Sequence, residues 1–245
     1  MKKTLSKVGS VKSIRRYPVK GMRGEDLDSA IISKTGIPHD RNYAFIDKNA
    51  TNKTFPYFTP RLRSEMLLFV PHISKGGRVS VRTPEEKEYS IDDPFFKKLL
   101  EERFRYELEL RYDRAGCYDT KPISIFGLPT LRELSKELGT LEKERFRANL
   151  YPEWDSGEPF FEDSLVGKSV QVGSAILDVV KKNSRCVVPT LDPYTAKASP
   201  RIQEFIIEER DSYVGVYATI QKEGGIKVGD DIFVIQDNSR QTNLN

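Results

Sequence analysis

The chain carries two cysteines, Cys117 and Cys186, and the second stands directly beside a fixed positive charge. In Ser184-Arg185-Cys186 a guanidinium adjoins a thiol, an arrangement that favours the thiolate, the form that attacks electrophiles and binds soft metals. The competing reading is a buried cysteine acting as a small apolar filler. Four basic clusters offer further chemistry: Pro18-Val19-Lys20-Gly21, Asp40-Arg41, Pro60-Arg61-Leu62-Arg63 and Arg145-Phe146-Arg147-Ala148-Asn149. Arginine suits planar, bidentate recognition of phosphate, and lysine adds a point charge. On an extended chain Arg145 and Arg147 share one face and Phe146 takes the other, so one side can be core and the other a charged site. The alternative for any single one of these cations is solvation, or pairing with the many acids.

Composition narrows the chemistry. A length of 245 residues with 38% hydrophobic content suits one large or two small domains with a real core. The net charge of +4, from 40 basic and 36 acidic residues, implies no strong nonspecific nucleic-acid binding. The basic N-terminus lacks a following apolar core, and no apolar run approaches membrane-spanning length. A soluble, cytoplasmic protein without membrane or nucleic-acid partners is expected. Two cysteines are too few for a disulfide framework, a four-cysteine zinc site or an iron–sulfur cluster held by this chain alone. With His39 and His72 as its only histidines, a histidine metal site or general base has little support. Any metal is expected to arrive with its own organic ligand.

The elements that must position these residues read mostly as strands, bounded by Gly, Pro and Asp. Segments 8–17, 29–33, 42–46, 66–71, 78–82 and 107–112 fit this reading, and Val187-Val188 is strand-like. A short helix is predicted over 94–103, with Phe95, Leu99 and Leu100 inward. After a boundary loop near 115–120 the clearest helix spans 128–138, where Leu128, Leu131, Leu134 and Leu138 recur at helical spacing. Further strands are predicted at 145–150, 169–172, 176–181, 213–221 and 231–235, with a helix over 200–210. Many short strands with few helices point to a strongly bent sheet or barrel.

In this order the segments resemble the MOSC domain proteins, named for the C-terminal domain of molybdenum cofactor sulfurases. Tyr17-Pro18-Val19-Lys20-Gly21, Gly36-Ile37-Pro38-His39-Asp40-Arg41 and Pro60-Arg61-Leu62 are similar to the N-terminal β-barrel segment of two-part members. Pro122-Ile123-Ser124, Arg145 to Leu150, Ser184-Arg185-Cys186, Thr190-Leu191-Asp192-Pro193, Gly215 to Ala218 and Ile226 to Asp230 are similar to the MOSC domain itself. The resemblance covers nearly the whole chain and rests on shared order, since no single motif is specific. It implies a mainly β fold with a few helices (α+β). A β-barrel-like segment over 1–115 would pack against a MOSC β-barrel over 116–236, leaving a frayed tail over 237–245.

The resemblance also implies a molybdenum cofactor (molybdopterin) in the cleft between the two parts, its pterin dithiolene chelating the metal and Cys186 supplying a protein sulfur ligand. For the cofactor and its terminal phosphate the family pattern implies Lys20, Gly21, Arg41, Arg147, Asn149 and Ser184, with Arg185 beside the ligand. Thr130, at the start of the clear helix, could donate its hydroxyl and N–H to the anion, or be a helix-start residue and nothing else. Relatives commonly have serine where this chain has Gly21; that hydroxyl is lost, although a glycine N–H can approach closely. Arg61, Arg63 and Asp192 read as structural, and Cys117 as inert. Two-part relatives include the mitochondrial amidoxime-reducing component and its bacterial counterparts. By analogy this chain is expected to be a molybdenum-dependent oxidoreductase that reduces N-hydroxylated or N-oxygenated small molecules, with Cys186 at the catalytic metal and a separate electron-donor protein. Two alternatives stand beside it. One is a non-catalytic carrier of the cofactor or its sulfur, with Cys186 accepting a persulfide. The other is a polyanion-binding surface with Cys186 in the core, which the lack of an interleaved aromatic and basic stripe disfavours.

Overall fold

The computed structural model describes residues 3–237; the tail expected to fray lies, beyond Asp237, outside the described residues. The chain runs through β1 (Lys3–Arg16), β2 (Glu25–Leu27), β3 (Ser29–Ile32), β4 (Tyr43–Asp47), β5 (Tyr57–Phe58), β6 (Val70–Ile73), β7 (Val79–Arg82), β8 (Glu88–Ser90), α1 (Pro94–Phe104) and β9 (Leu108–Tyr112). It continues through β10 (Ile123–Ile125), α2 (Leu128–Leu138), β11 (Leu150–Trp154), β12 (Ser169–Val172), β13 (Ala175–Ser184), α3 (Pro200–Arg210), β14 (Tyr213–Lys222), β15 (Gly224–Lys227) and β16 (Asp231–Asp237). Among the described residues the fold is mainly β with three α-helices.

Seven strands close into a barrel in the order β1, β11, β10, β14, β13, β12, β16 and back to β1. All neighbours are antiparallel except β10 and β11. The length of β1 makes closure possible: residues from Lys3 to Ser10 pair with β16, and those from Gly9 to Ile14 pair with β11. Closure leaves these strands no open edge. Alternate residues point inward, so Val170 and Val172, Leu177 and Val179, Val216 and Ala218, and Ile232 and Val234 fill the interior. Each fully buried aliphatic side chain contributes about 1.5–3 kcal/mol.

A second core lies under residues 43–112. Two three-stranded sheets, β5-β4-β9 and β6-β7-β8, enclose Phe45, Phe58, Met66, Phe69 and Val81 together with α1. Asp93 caps α1 by accepting from the Phe95 N–H at 2.8 Å, and Pro94 sits in its first turn, both ordinary start signals. The inward stripe is Phe96, Leu100 and Phe104. Phe95, expected inward, is 76% exposed, because the four-residue stripe from Phe96 is the one that meets the rings of Phe45 and Phe69. A third core joins α2 and α3 through Leu134, Ile202 and Ile206 to Phe126, Phe146 and Tyr151.

Three predicted strands differ. Over Ser64–Leu68 the chain winds into a 3₁₀ turn before β6 begins at Val70. Lys143–Phe146 forms another, with Arg147 left-handed at its end and β11 starting only at Leu150. Val188–Thr190 is a third. Arg145 and Arg147 therefore do not share the face of an extended strand. Arg145 instead donates to Glu142 at 2.6 Å, Asp192 at 3.0 Å and the Thr190 carbonyl at 3.1 Å, contacts that need the wound backbone.

Candidate active site

Segments leaving the barrel meet segments of the second core at one cleft, about 770 Å³ including the open solvent at its mouth. Among the described residues it is lined by Lys20, Arg41, Arg61, Lys121, Arg145, Arg147 and Arg185, against a single lining carboxylate, Asp119. Cys186, half-buried, lines it too. Lys20 and Cys186, 166 positions apart in sequence, thus line one cleft.

Lys20 follows the end of β1 and is 4% exposed. Its Nζ donates to the Cys117 carbonyl at 2.6 Å and to the Asp119 carboxylate, beneath the rings of Phe55 and Tyr57. Burial, helped by Arg41 and Arg61, lowers the ammonium pKa against the pull of Asp119. Arg61 donates to Asp119 at 2.7 Å. Burial acts against the Arg61 charge, yet Asp119 and then Cys186 raise its pKa. Arg61, read from sequence as structural, is thus a cleft residue beside the thiol. Arg185, adjacent in sequence, turns away: Nε donates to the Val214 carbonyl at 2.8 Å and Nη1 to the Phe146 carbonyl at 2.9 Å. Its Nη2 is buried without a partner.

Arg41 donates from Nη1 to Asp40 at 2.5 Å and from Nη2 to the Arg147 carbonyl at 2.8 Å. Arg147 donates from Nη1 to the Met22 carbonyl at 2.8 Å and, among the described residues, has no carboxylate in ion-pair contact. Burial, followed by repulsion from Arg41, lowers its pKa to about 10. Both arginines hold left-handed backbone angles, φ 55° at Arg41 and 51° at Arg147, an arrangement that concentrates at functional sites because the surroundings must enforce it.

Asp119 and Lys121 were missed in the sequence. Asp119 lies in the boundary loop near 115–120 and Lys121 just after it, where no periodicity marks a role; charged residues clustered between two subdomains are the available signal. Burial by itself would raise the Asp119 carboxyl, but Lys20 and Arg61 outweigh it and hold the pKa at about 2. A depressed carboxyl stabilises the fold fully above its ordinary value of 3.8 and loses that contribution as pH falls through the folded value. The stability advantage of the native chain over Asp119→Asn should therefore shrink between about pH 4 and pH 2 in urea titrations, and an advantage that grew on acidification would contradict the assignment.

A family model described as the MOSC N-terminal beta barrel domain matches residues 8–107, and one described as the MOSC domain matches residues 112–233. The chain belongs to the MOSC family. Among solved structures, the YUAD protein from Bacillus subtilis is 14% identical with a TM-score of 0.53, covering 96% of this chain and 98% of its own; at that identity it shows the fold alone. YiiM from Geobacillus stearothermophilus is 13% identical with a TM-score of 0.35, covering 47% of this chain and 54% of its own. Comparison with curated proteins gives no match. MOSC domains are associated with molybdenum cofactor sulfurase and reductase-type proteins. Among the described residues, no helix is long and apolar enough to cross a membrane.

Of the residues expected to serve a cofactor in this MOSC chain, Lys20, Gly21, Arg41, Arg147, Ser184, Arg185 and Cys186 come together in the cleft. Gly21 has φ 88°, and a Cβ there would lie 3.1 Å from Pro60, a local reason for glycine where relatives commonly have serine. Asn149 lines the cleft but its amide is spent inside the protein. Nδ2 donates to the Arg15 carbonyl and to Asp40, and Oδ1 accepts from the N–H and hydroxyl of Ser124. It is a strut between the two parts, with no free donor. Thr130 is elsewhere altogether: fully buried, its hydroxyl donates to Glu162 at 3.0 Å and accepts from the Phe160 N–H at 2.7 Å. The helix-start anion site is overturned because the buried Glu162 carboxylate already takes the Gly127 N–H, the Thr130 hydroxyl and the Trp154 indole. Thr130→Val should destabilise the fold by about 1–3 kcal/mol in urea unfolding followed through Trp154, and leave any cofactor content unchanged. A loss of cofactor with unaltered stability would restore the discarded role.

Proposed function

We propose that this MOSC protein binds molybdenum cofactor in the cleft and reduces N-hydroxylated or N-oxygenated small molecules there, with Cys186 as the protein's sulfur ligand to the metal. The observation that carries the reading is the pairing of a half-buried thiol with unsatisfied cations. Arg147 and Arg185 line the same cleft as Cys186, neither has an ionic partner among the described residues, and Arg185 Nη2 is an orphaned buried donor. A phosphate monoester supplies the acceptors these groups lack, and a thiolate suits a metal already held by sulfur. The donor set therefore fits the group.

Arg147 and Arg185 would hold the terminal phosphate with Arg41, Lys20, the Gly21 N–H and the Ser184 hydroxyl. Arg61 would balance the charge of the Cys186 thiolate, while Asp119 keeps Arg61 and Lys20 in place. When bound, the cofactor would supply the redox chemistry for removing oxygen from the substrate. Conversion of N–OH to N–H with release of water consumes two electrons and two protons, so a separate electron-donor protein belongs to the proposal. The test is molybdenum analysis of gently purified protein, fluorescence of the oxidised pterin, and turnover of a hydroxylamine-type substrate with an artificial reductant. All three should be positive. Metal and pterin without turnover would favour the carrier reading, and absence of both with salt-dependent polyanion binding would remove the cofactor altogether.

A further inference from the structure

We infer that Tyr17 is a positioning residue for the anion-binding end of the cleft, its ring serving as a platform that holds the Arg41 and Arg147 guanidiniums together without neutralising them. The inference rests on the reading of a phosphate-bearing cofactor and deepens it. Two like charges in a buried place repel, and they stay together only if something attractive lies against both. The Cζ atoms of Arg41 and Arg147 each lie 4.5 Å from the centroid of the Tyr17 ring, within the range where the negative face of an aromatic ring attracts a cation. A carboxylate in that position would cancel the charge that an anionic ligand needs and occupy the N–H donors. A ring does neither.

The surroundings fix the platform. Its hydroxyl donates to the Ala148 carbonyl at 3.1 Å, beside Arg147. Its backbone N–H donates to Asp40 at 2.7 Å, and its carbonyl accepts from the Arg41 N–H at 2.7 Å. A Cβ on Gly24 would lie 2.5 Å from the ring, so glycine is needed for the ring to seat. Asp40, fully buried, also accepts from Arg41 Nη1 and Asn149 Nδ2. Asp40 thus compensates Arg41 from the side, and Arg147 keeps the uncompensated charge. Both arginines hold left-handed backbone, Arg147 as the cap that ends the Lys143–Phe146 turn.

Simple core packing would also bury Tyr17, so the test must vary the ring's electrostatics at constant shape. The full chain, expressed without molybdopterin, is prepared with Phe, 4-fluoro-, 3,5-difluoro- and pentafluorophenylalanine at position 17, and its affinity for inorganic phosphate is measured by calorimetry beside a thermal melt. Tyr17→Phe should bind within about twofold of the native chain, and affinity should then fall stepwise by about five- to tenfold across the series at nearly constant melting temperature. A flat series with intact fold overturns the platform, as does a native chain that binds no phosphate. Should the pentafluoro chain not fold, the two intermediate rings define the slope. Molybdenum and pterin content of the native chain, made with the cofactor available, separates the two claims. A sloping phosphate series without cofactor would refute the proposed function and leave the platform standing; a flat series with normal cofactor would do the reverse.

Discussion

Replacing Arg147 should empty the cleft without unfolding the chain, and glycine should be better tolerated there than alanine. The backbone at position 147 is left-handed, φ 51°, which costs a residue with a Cβ about 1–2 kcal/mol. Arg147→Gly should therefore exceed Arg147→Ala in stability by about that amount, the reverse of their usual order in a helix. The charge is also held against burial and against Arg41, with a lowered pKa, and both variants relieve that repulsion. The Met22 carbonyl, in a fully buried residue, loses its donor in both variants, a cost the two share. Cofactor content should fall by more than about tenfold in both variants, from loss of one charge-assisted, bidentate phosphate donor. Urea unfolding read through Trp154, the only tryptophan, gives the stability order, and molybdenum analysis gives the occupancy. Undiminished occupancy would remove Arg147 from the site, and alanine outlasting glycine would refute the strain.

Cys186→Ala should have the opposite balance: turnover of N-hydroxylated substrate falling by more than about a hundredfold, with stability within about 0.5 kcal/mol of the native chain. Cys186 is half-buried on the cleft wall, so little packing is lost. The phosphate end remains anchored by Arg147 and Arg185, so cofactor content should drop less than in the Arg147 variants. The two substitutions together separate holding the cofactor from serving its metal. Cys117→Ala is the control. That thiol is 1% exposed and pushed up in pKa by burial, so its loss should lower stability by about 1 kcal/mol and spare turnover. Full metal content and full activity in Cys186→Ala would eliminate the ligand role.

Local pattern was sufficient where local chemistry sets the structure. Pro129 and Pro200 stand in the first turns of α2 and α3, Leu134 and Ile206 lie on their buried faces, and both helices span the predicted residues. The strand at 169–172 forms as predicted, and its two valines are buried in the barrel interior. The basic clusters and Ser184-Arg185-Cys186 could likewise be chosen by residue type and order. Tertiary structure decided the rest. The Arg145 to Asn149 run alternates like a strand, but Arg145 is drawn to Glu142, Asp192 and the Thr190 carbonyl, and the backbone winds to reach them. Thr130 has the look of an anion donor, yet a carboxylate 32 residues away claims its hydroxyl. Arg185 neighbours Cys186 in sequence, but strand geometry sends its guanidinium to Val214 and Phe146 while Arg61 faces the thiol. Asp119 joins Lys20 and Arg61 across 99 and 58 residues, and no periodicity can announce such a contact. Side-chain type states which partners a residue can satisfy, whereas closure of β1 onto the barrel brings Lys20 and Arg41 to Arg147 and Cys186 and determines which of those partners are within reach.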